Sequence, residues 1–327
     1  MRFAVYGAGA IGGVVGARLH QSGHDVLLIA RGEHYRAIAA NGLTLESPEE
    51  RAILEIPVFE HPSAVPWSED DVVLLAMKTQ DTAGALGALA AAAPAEVPIV
   101  CVQNGVENER LALRSFPHVY GALVMAPTAH LEAGVVQAYS TPLSGGIDVG
   151  RYPRGVDATC EGVAAALRAS RFSALVRPEI MRWKYTKLLV NLGNVTQALF
   201  GQEADDSELT GLAREEARAC LTVAGIDFAL EEEDAERRRG LLHIGDIAGR
   251  ERGGGSTWQS FTRGTATIET DYLNGEIVLL GRLHGVPTPV NELLCELARR
   301  ALRVGARPGA LMPDEVLSRV RGAQPDT

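Results

Sequence analysis

The chain has 327 residues, 46% of them hydrophobic and 22% charged, which is the composition of an ordinary globular protein with chain enough for a core without disulfide staples. At about 150 residues per domain, two domains are expected. Lys and Arg number 31 against 41 Asp and Glu, a net charge of −10, so the broad basic footprint of a nucleic-acid binder is missing.

Four scattered cysteines form no C-x-x-C, and the eight histidines include no H-E-x-x-H. Both facts argue against a zinc or disulfide framework and fit a reducing compartment. The opening MRFAVYGAGAIGG has one arginine and immediate glycines, unlike a signal peptide. The Ala-rich run 83–95 is broken by Gly84, Gly87 and Pro94, too weakly apolar to span a bilayer. A cytoplasmic enzyme with a small-molecule substrate is expected, without nucleic acid, membrane or metal.

Short apolar runs at Arg2–Tyr6, 25–30, 71–76, 98–102 and 119–124 predict strands. A helical pattern at 11–22, ended by Gly23, stands between the first two. Apolar strands alternating with helices predict a parallel sheet covered on both faces. Residues 43–45 and 53–59 predict a small β excursion, and 135–140 with 146–149 a hairpin-type extension. From Pro178 the pattern turns helical: 179–200, 209–224, 231–247, 265–284 and 289–304. Thr288 before Pro289 reads as a hydroxyl cap with proline at the first helical position. The Gly- and Pro-rich tail after Arg307 is expected to fray. The predicted division is 1–177 and 178–327. The charges of both signs across 231–239 read as a solvated helix face with i, i+4 pairs.

Gly7-Ala8-Gly9-Ala10-Ile11-Gly12 is a G-x-G-x-x-G that follows a strand and opens a helix. There the glycines permit a tight turn and close approach of a pyrophosphate, and the helix N-terminus offers its N–H groups to the anion. The second strand ends in Arg31, where an NAD site usually has an acid; an arginine suits the 2′-phosphate of NADP(H). Ligands of open parallel sheets bind beyond the strands' carboxyl ends. Lys78, after the 71–76 strand, and Asn104, after the 98–102 strand, are placed to meet cofactor or substrate.

Lys187, Asn191 and Asn194 fall at i, i+4 and i+7 among Leu188, Leu189, Leu192, Val195 and Leu199. A polar stripe on an apolar helix is costly unless it is bonded or faces a polar space. An ammonium with two amides suits a keto acid: the cation polarises the carbonyl and the amides hold the other oxygens. Lys184 extends the stripe and competes for the same role. Lys187 is preferred because only it has an asparagine four residues on.

GAGAIG at 7–12, ARGEHY at 30–35, MKTQ at 77–80, QNG at 103–105, Trp183-x-x-x-Lys187-x-x-x-Asn191, STWQ at 256–259, IETDYLNG at 268–275 and GVPTPVN at 285–291 together resemble the ketopantoate reductase (2-dehydropantoate 2-reductase) family over nearly the whole chain. The resemblance implies an N-terminal Rossmann domain with a doubly wound parallel sheet, and an all-α C-terminal domain like that of 6-phosphogluconate dehydrogenase. The site would lie in the cleft between them. It implies reduction of a 2-keto acid by NADPH. Lys187 matches the family's catalytic lysine, which gives a proton to the forming alkoxide. Asn191 matches a substrate-binding asparagine, Asn104 the QNG asparagine near cofactor and substrate, and Lys78 the family's lysine after the 71–76 strand. Ser256 matches a serine that binds the substrate carboxylate, and Glu269 a glutamate that contacts the substrate. A homodimer through the helical domain is compatible with the pattern. The family's second asparagine, four residues after the first, is replaced here by Val195, with Asn194 one position early, about 100° away around a helix. Two other readings fit the same motifs: a related dehydrogenase of another keto or hydroxy acid, and a non-catalytic NADP(H) sensor.

Overall fold

The computed structural model describes residues 1–250, 258 and 269–322. In chain order the first elements are β1 (Arg2–Tyr6), α1 (Ala10–Gln21), β2 (Val26–Ile29), α2 (Gly32–Asn41), β3 (Leu43–Glu46), β4 (Arg51–Leu54), β5 (Val58–Phe59) and β6 (Asp71–Leu75). There follow α3 (Thr79–Ala90), β7 (Ile99–Cys101), α4 (Asn108–Leu113), β8 (Val119–Met125), β9 (Thr128–Ala129), β10 (Val135–Ala138), β11 (Gly145–Arg151), α5 (Ala158–Ala169) and β12 (Phe172–Ser173). The rest is helical: α6 (Ile180–Asn191), α7 (Asn194–Phe200), α8 (Ser207–Val223), α9 (Glu231–Arg238), α10 (Asn274–His284), α11 (Pro289–Arg303) and α12 (Pro313–Gly322).

The main sheet runs β12-β11-β8-β7-β6-β1-β2-β5. β1 lies parallel between β2 and β6, Phe3 facing both Val26 and Val72; β11 runs antiparallel to β8, and β12 lies parallel to β11. Alternate side chains enter different cores. Phe3, Val5, Leu28, Leu74 and Val100 pack with α1 and α5, while Ala4, Ile29, Val73, Leu75 and Ile99 pack with α3 and α4. Burial on both faces is why these strands read as unbroken apolar runs. The expected doubly wound α/β sheet is present, with strand limits shifted by one or two residues.

The expected hairpin of 135–140 with 146–149 is not formed. β10 pairs with β3 and β9 in a four-stranded sheet, whereas β11 pairs with β8 and β12. The linking residues bond elsewhere: the Thr141 N–H donates to the His243 carbonyl (3.0 Å) and the Ser144 N–H to that of Arg171 (2.7 Å).

Two compact units result, Met1–Lys184 with Ala229–Arg252, and Tyr185–Phe228 with Gly253–Thr327. The division falls inside α6, not at residue 177, and 229–252 rejoins the first unit. Charge holds that returning segment: Arg237 Nε donates to Asp148 Oδ2 (2.8 Å), Arg182 Nη1 to Glu233 Oε1 (2.9 Å) and Arg250 Nε to Glu46 Oε2 (2.8 Å). Arg238 and Asp234 do form an i, i+4 pair, but Arg237 is buried against Asp148, so the charged face at 231–239 is only partly solvated. Its helix stops at Arg238, and Gly240 (φ +64°) turns the chain so that Leu241 joins Met125 and Trp183 in a core.

In the second unit, α7, α8, α11 and α12 share one apolar core. The expected fraying tail forms α12 because Val316, Leu317 and Val320 bury one helical face there. The start of α11 is not capped by the Thr288 hydroxyl. Glu216 replaces it, accepting from the Val290 (2.8 Å) and Asn291 (3.0 Å) N–H groups, a carboxylate at the positive end of the helix. Of the pattern expected at 265–284, a 3-10 turn at Glu269–Tyr272 and α10 are described.

Candidate active site

The candidate residues fall into two sets, one in each unit. The first lies at the carboxyl ends of β1, β2, β6 and β7. Gly7 has φ +96°, and a Cβ there would stand 2.6 Å from the Met77 backbone nitrogen; at Gly12 it would stand 2.2 Å from the Gly7 carbonyl oxygen. Neither position admits a side chain. At Gly9 a Cβ would meet nothing nearer than His130 Cδ2 at 4.0 Å, and no side chain caps the first turn of α1. That turn offers orphan N–H groups to an anion over a bare backbone, so the residues present fit a pyrophosphate.

His34 braces this turn. Its Nδ1 accepts from the Gly134 N–H (2.9 Å), so Nε2 carries the proton and donates it to the Ala8 carbonyl (2.7 Å). His130 lies against it, ring centroids 4.1 Å apart. Burial pushes the His34 pKa down, keeping the neutral form that this bonding requires. Arg31, 81% exposed, follows β2 just before α2 and reaches Asp81 on α3 at 3.0 Å.

Lys78 precedes the first turn of α3, and Asn104 follows β7. Buried amides and hydroxyls tie these two loops together. Gln103 Nε2 donates to the Met77 carbonyl and to Thr82 Oγ1 (both 2.8 Å), and Thr82 Oγ1 donates to Asn108 Oδ1 (2.8 Å). Asn108 Nδ2 donates to the Asn104 carbonyl (3.0 Å) and Thr79 Oγ1 (3.1 Å). Behind them, Lys184 is 3% exposed and paired with the fully buried Glu109, and its Nζ donates to the Gln103 carbonyl (2.9 Å). Burial raises the Glu109 pKa, and the Lys184 ammonium opposes the rise.

The second set surrounds the end of α6. Lys187 is half-buried one turn before Asn191, which is 5% exposed. Asn191 Nδ2 has no hydrogen-bond partner among the described residues. A buried donor left this way is uncommon and costs about 1–3 kcal/mol. The helix does not continue to 200 as expected. It breaks at Leu192-Gly193, and α7 starts afresh at Asn194. Arg214 Nε donates to the freed Leu189 carbonyl (3.1 Å), satisfying a carbonyl at the helix end. Asn194 lines a polar depression of about 300 Å³ with Gln197, Asp206, Thr210 and Arg214, and Asn191 is not among its lining residues. Asn274 Nδ2 donates to the Leu192 carbonyl (3.2 Å) and to Asn291 Oδ1 (3.1 Å). This fastens the start of α10 to the break, and Glu269, five residues earlier, is buried. Ser256 lies outside the described residues.

Family models match both parts of the chain: Ketopantoate reductase PanE/ApbA over residues 3–154 and Ketopantoate reductase PanE/ApbA C terminal over 179–301. The chain belongs to the ketopantoate reductase family. A 2-dehydropantoate 2-reductase of Pyrococcus horikoshii is 27% identical over 313 residues, covering 93% of this chain and 99% of that protein. The crystal structure of a PanE/ApbA family ketopantoate reductase from Ralstonia eutropha JMP134 is 28% identical with a TM-score of 0.77, covering 93% of this chain and 99% of that one. D-mandelate dehydrogenase with NADH and anilino(oxo)acetate superposes with a TM-score of 0.78 at 22% identity, over 93% of this chain and 99% of that one; this likeness is one of fold.

Within the ketopantoate reductase framework, the two competing lysines have different surroundings. Lys184 is committed to Glu109 inside the first unit. Lys187 is the half-buried one, adjacent to Asn191. Sequence reasoning missed His34, Asp81, Asn108 and Asn274. His34 and Asn274 stand inside the ARGEHY and IETDYLNG motifs, which was the available signal. Asn108 and Asp81 lie outside every motif, although two partners of Asn108, Thr79 and Asn104, stand inside MKTQ and QNG.

Proposed function

We propose that this family member reduces a 2-keto acid to the 2-hydroxy acid with NADPH, and that 2-dehydropantoate is the first substrate to test. The observation that carries the reading is Lys187 one turn from the buried Asn191, whose Nδ2 has no partner among the described residues. The glycine turn would hold the pyrophosphate, with Arg31 on the 2′-phosphate and Lys78 and Asn104 at the nucleotide. When bound, NADPH supplies a hydride to the ketone carbon. Lys187, as the ammonium, stabilises the alkoxide oxygen and gives it a proton, then regains one from water. Asn191, Ser256 and Glu269 hold the substrate's remaining oxygens.

The test follows the loss of reduced-nicotinamide absorbance with NADPH and 2-dehydropantoate. Oxidation by the wild type is expected, with a fall of about 10²–10⁴-fold in Lys187→Ala and little change in NADPH affinity. No oxidation despite measured NADPH binding would overturn the substrate assignment. A second reading, another 2-keto acid, is favoured by the helix break that separates Asn194 from Asn191; oxidation by other members of a keto-acid panel alone would select it.

A further inference from the structure

Arg31 follows β2, and Asp81 lies in the first turn of α3, which follows β6. β2 and β6 are the two neighbours of β1. The Arg31–Asp81 ion pair therefore joins the end of the β2 connection to the first turn of α3, on either side of the strand that Gly7 follows. Arg31 Nη2 donates to Asp81 Oδ2 at 3.0 Å, with side chains 81% and 36% exposed. One guanidinium thus meets a protein carboxylate at the place where the family reading puts the 2′-phosphate. A phosphate dianion and a carboxylate repel each other, and both seek the same donors.

We propose that Asp81 is a specificity-determining residue: its carboxylate competes with the 2′-phosphate for Arg31 and so tempers the preference for NADPH over NADH. The inference rests on the reading of Arg31 as the 2′-phosphate ligand. NADPH binding must exchange one partner of Arg31 for another, whereas NADH binding leaves the pair intact. The exchange is modest, because an exposed pair is weak and is screened by salt. Asp81 also sits favourably at the positive end of α3, a structural role that would serve both nucleotides alike.

Dissociation constants of NADPH and NADH, read by nicotinamide fluorescence at low and high salt, test this in wild type, Asp81→Asn, Arg31→Ala and the double variant. Asparagine keeps the shape and removes the charge. The expected result is NADPH binding tightened about two- to five-fold in Asp81→Asn, NADH unchanged, the gain shrinking in high salt and vanishing in the Arg31→Ala background. If Asp81→Asn changes nothing while Arg31→Ala lowers NADPH preference, the competition is overturned and the Arg31 reading stands. If both nucleotides shift equally and the shift persists without Arg31, Asp81 acts only on its helix and the proposal is overturned. If Arg31→Ala leaves NADPH preference intact, the Arg31 reading itself fails, and the competition with it.

Discussion

Replacing Lys184 by methionine keeps most of the side-chain volume and removes the ammonium. Glu109, fully buried, then loses its only cation among the described ion pairs, and the Gln103 carbonyl loses its 2.9 Å donor. Removing one partner of a buried pair costs about 3–5 kcal/mol, because the survivor stays desolvated. At roughly 2–4 °C per kcal/mol, the melting temperature falls by about 6–20 °C. The pH dependence has a defined sign. Burial holds the Glu109 pKa above its ordinary value. A carboxyl raised in the folded state costs nothing while protonated in both states, and it destabilises as pH rises through its folded pKa. Without Lys184 that pKa climbs further, so the variant's deficit is larger at about pH 8 than at about pH 5. Calorimetry across that range measures it, and Lys184→Met/Glu109→Leu is expected to recover most of the loss. A Lys184→Met protein with wild-type melting but no turnover would refute this and return the proton donor's role to Lys184.

His34→Ala removes the bond to the Ala8 carbonyl and the acceptor of the Gly134 N–H. NADPH and NADH are both expected to bind about tenfold more weakly by fluorescence titration; a loss confined to NADPH would contradict a brace on the pyrophosphate turn. Asn191→Ala is expected to raise KM for the keto acid about ten- to hundredfold, the worth of a hydrogen bond to a charged group, with NADPH affinity retained; an unchanged KM sinks the assignment. Arg237→Ala leaves the fully buried Asp148 with Arg177 and the Leu175 N–H. A cost of about 2 kcal/mol and faster proteolysis within 229–252 are expected, and wild-type resistance would count against that anchor.

The first unit's sheet was legible because its strands are buried on both faces and turn abruptly into glycine or polar residues: Arg2–Tyr6 was read to the residue, and the neighbours of β1 to within one or two. The misreadings share one cause, partners distant in sequence. Strands 135–138 and 145–151 are close in sequence, yet each finds its mates elsewhere. The start of α11 looked self-sufficient with Thr288 and Pro289, but its cap is Glu216, 74 residues upstream of Val290. Arg237 looked solvated until Asp148, 89 residues away, enclosed it.

The same distinction separates the two lysines. Lys184 and Lys187 lie about 60° apart around one helix, so spacing alone put both on a single polar stripe. What divides them is burial: Lys184 is 3% exposed and Lys187 half-buried. Glu109, 75 residues upstream, pairs with Lys184, and a charge already paired and buried behind the Asn104 loop serves that loop's shape. At Asn191 the described residues supply nothing to Nδ2. A buried donor left unmatched calls for an explanation, and the keto-acid reading supplies one in an acceptor oxygen of the bound acid. Asn194 belonged to the stripe only if the helix ran on. Once the chain breaks at Gly193, Asn194 starts a new helix and lines a depression with Gln197, Asp206, Thr210 and Arg214.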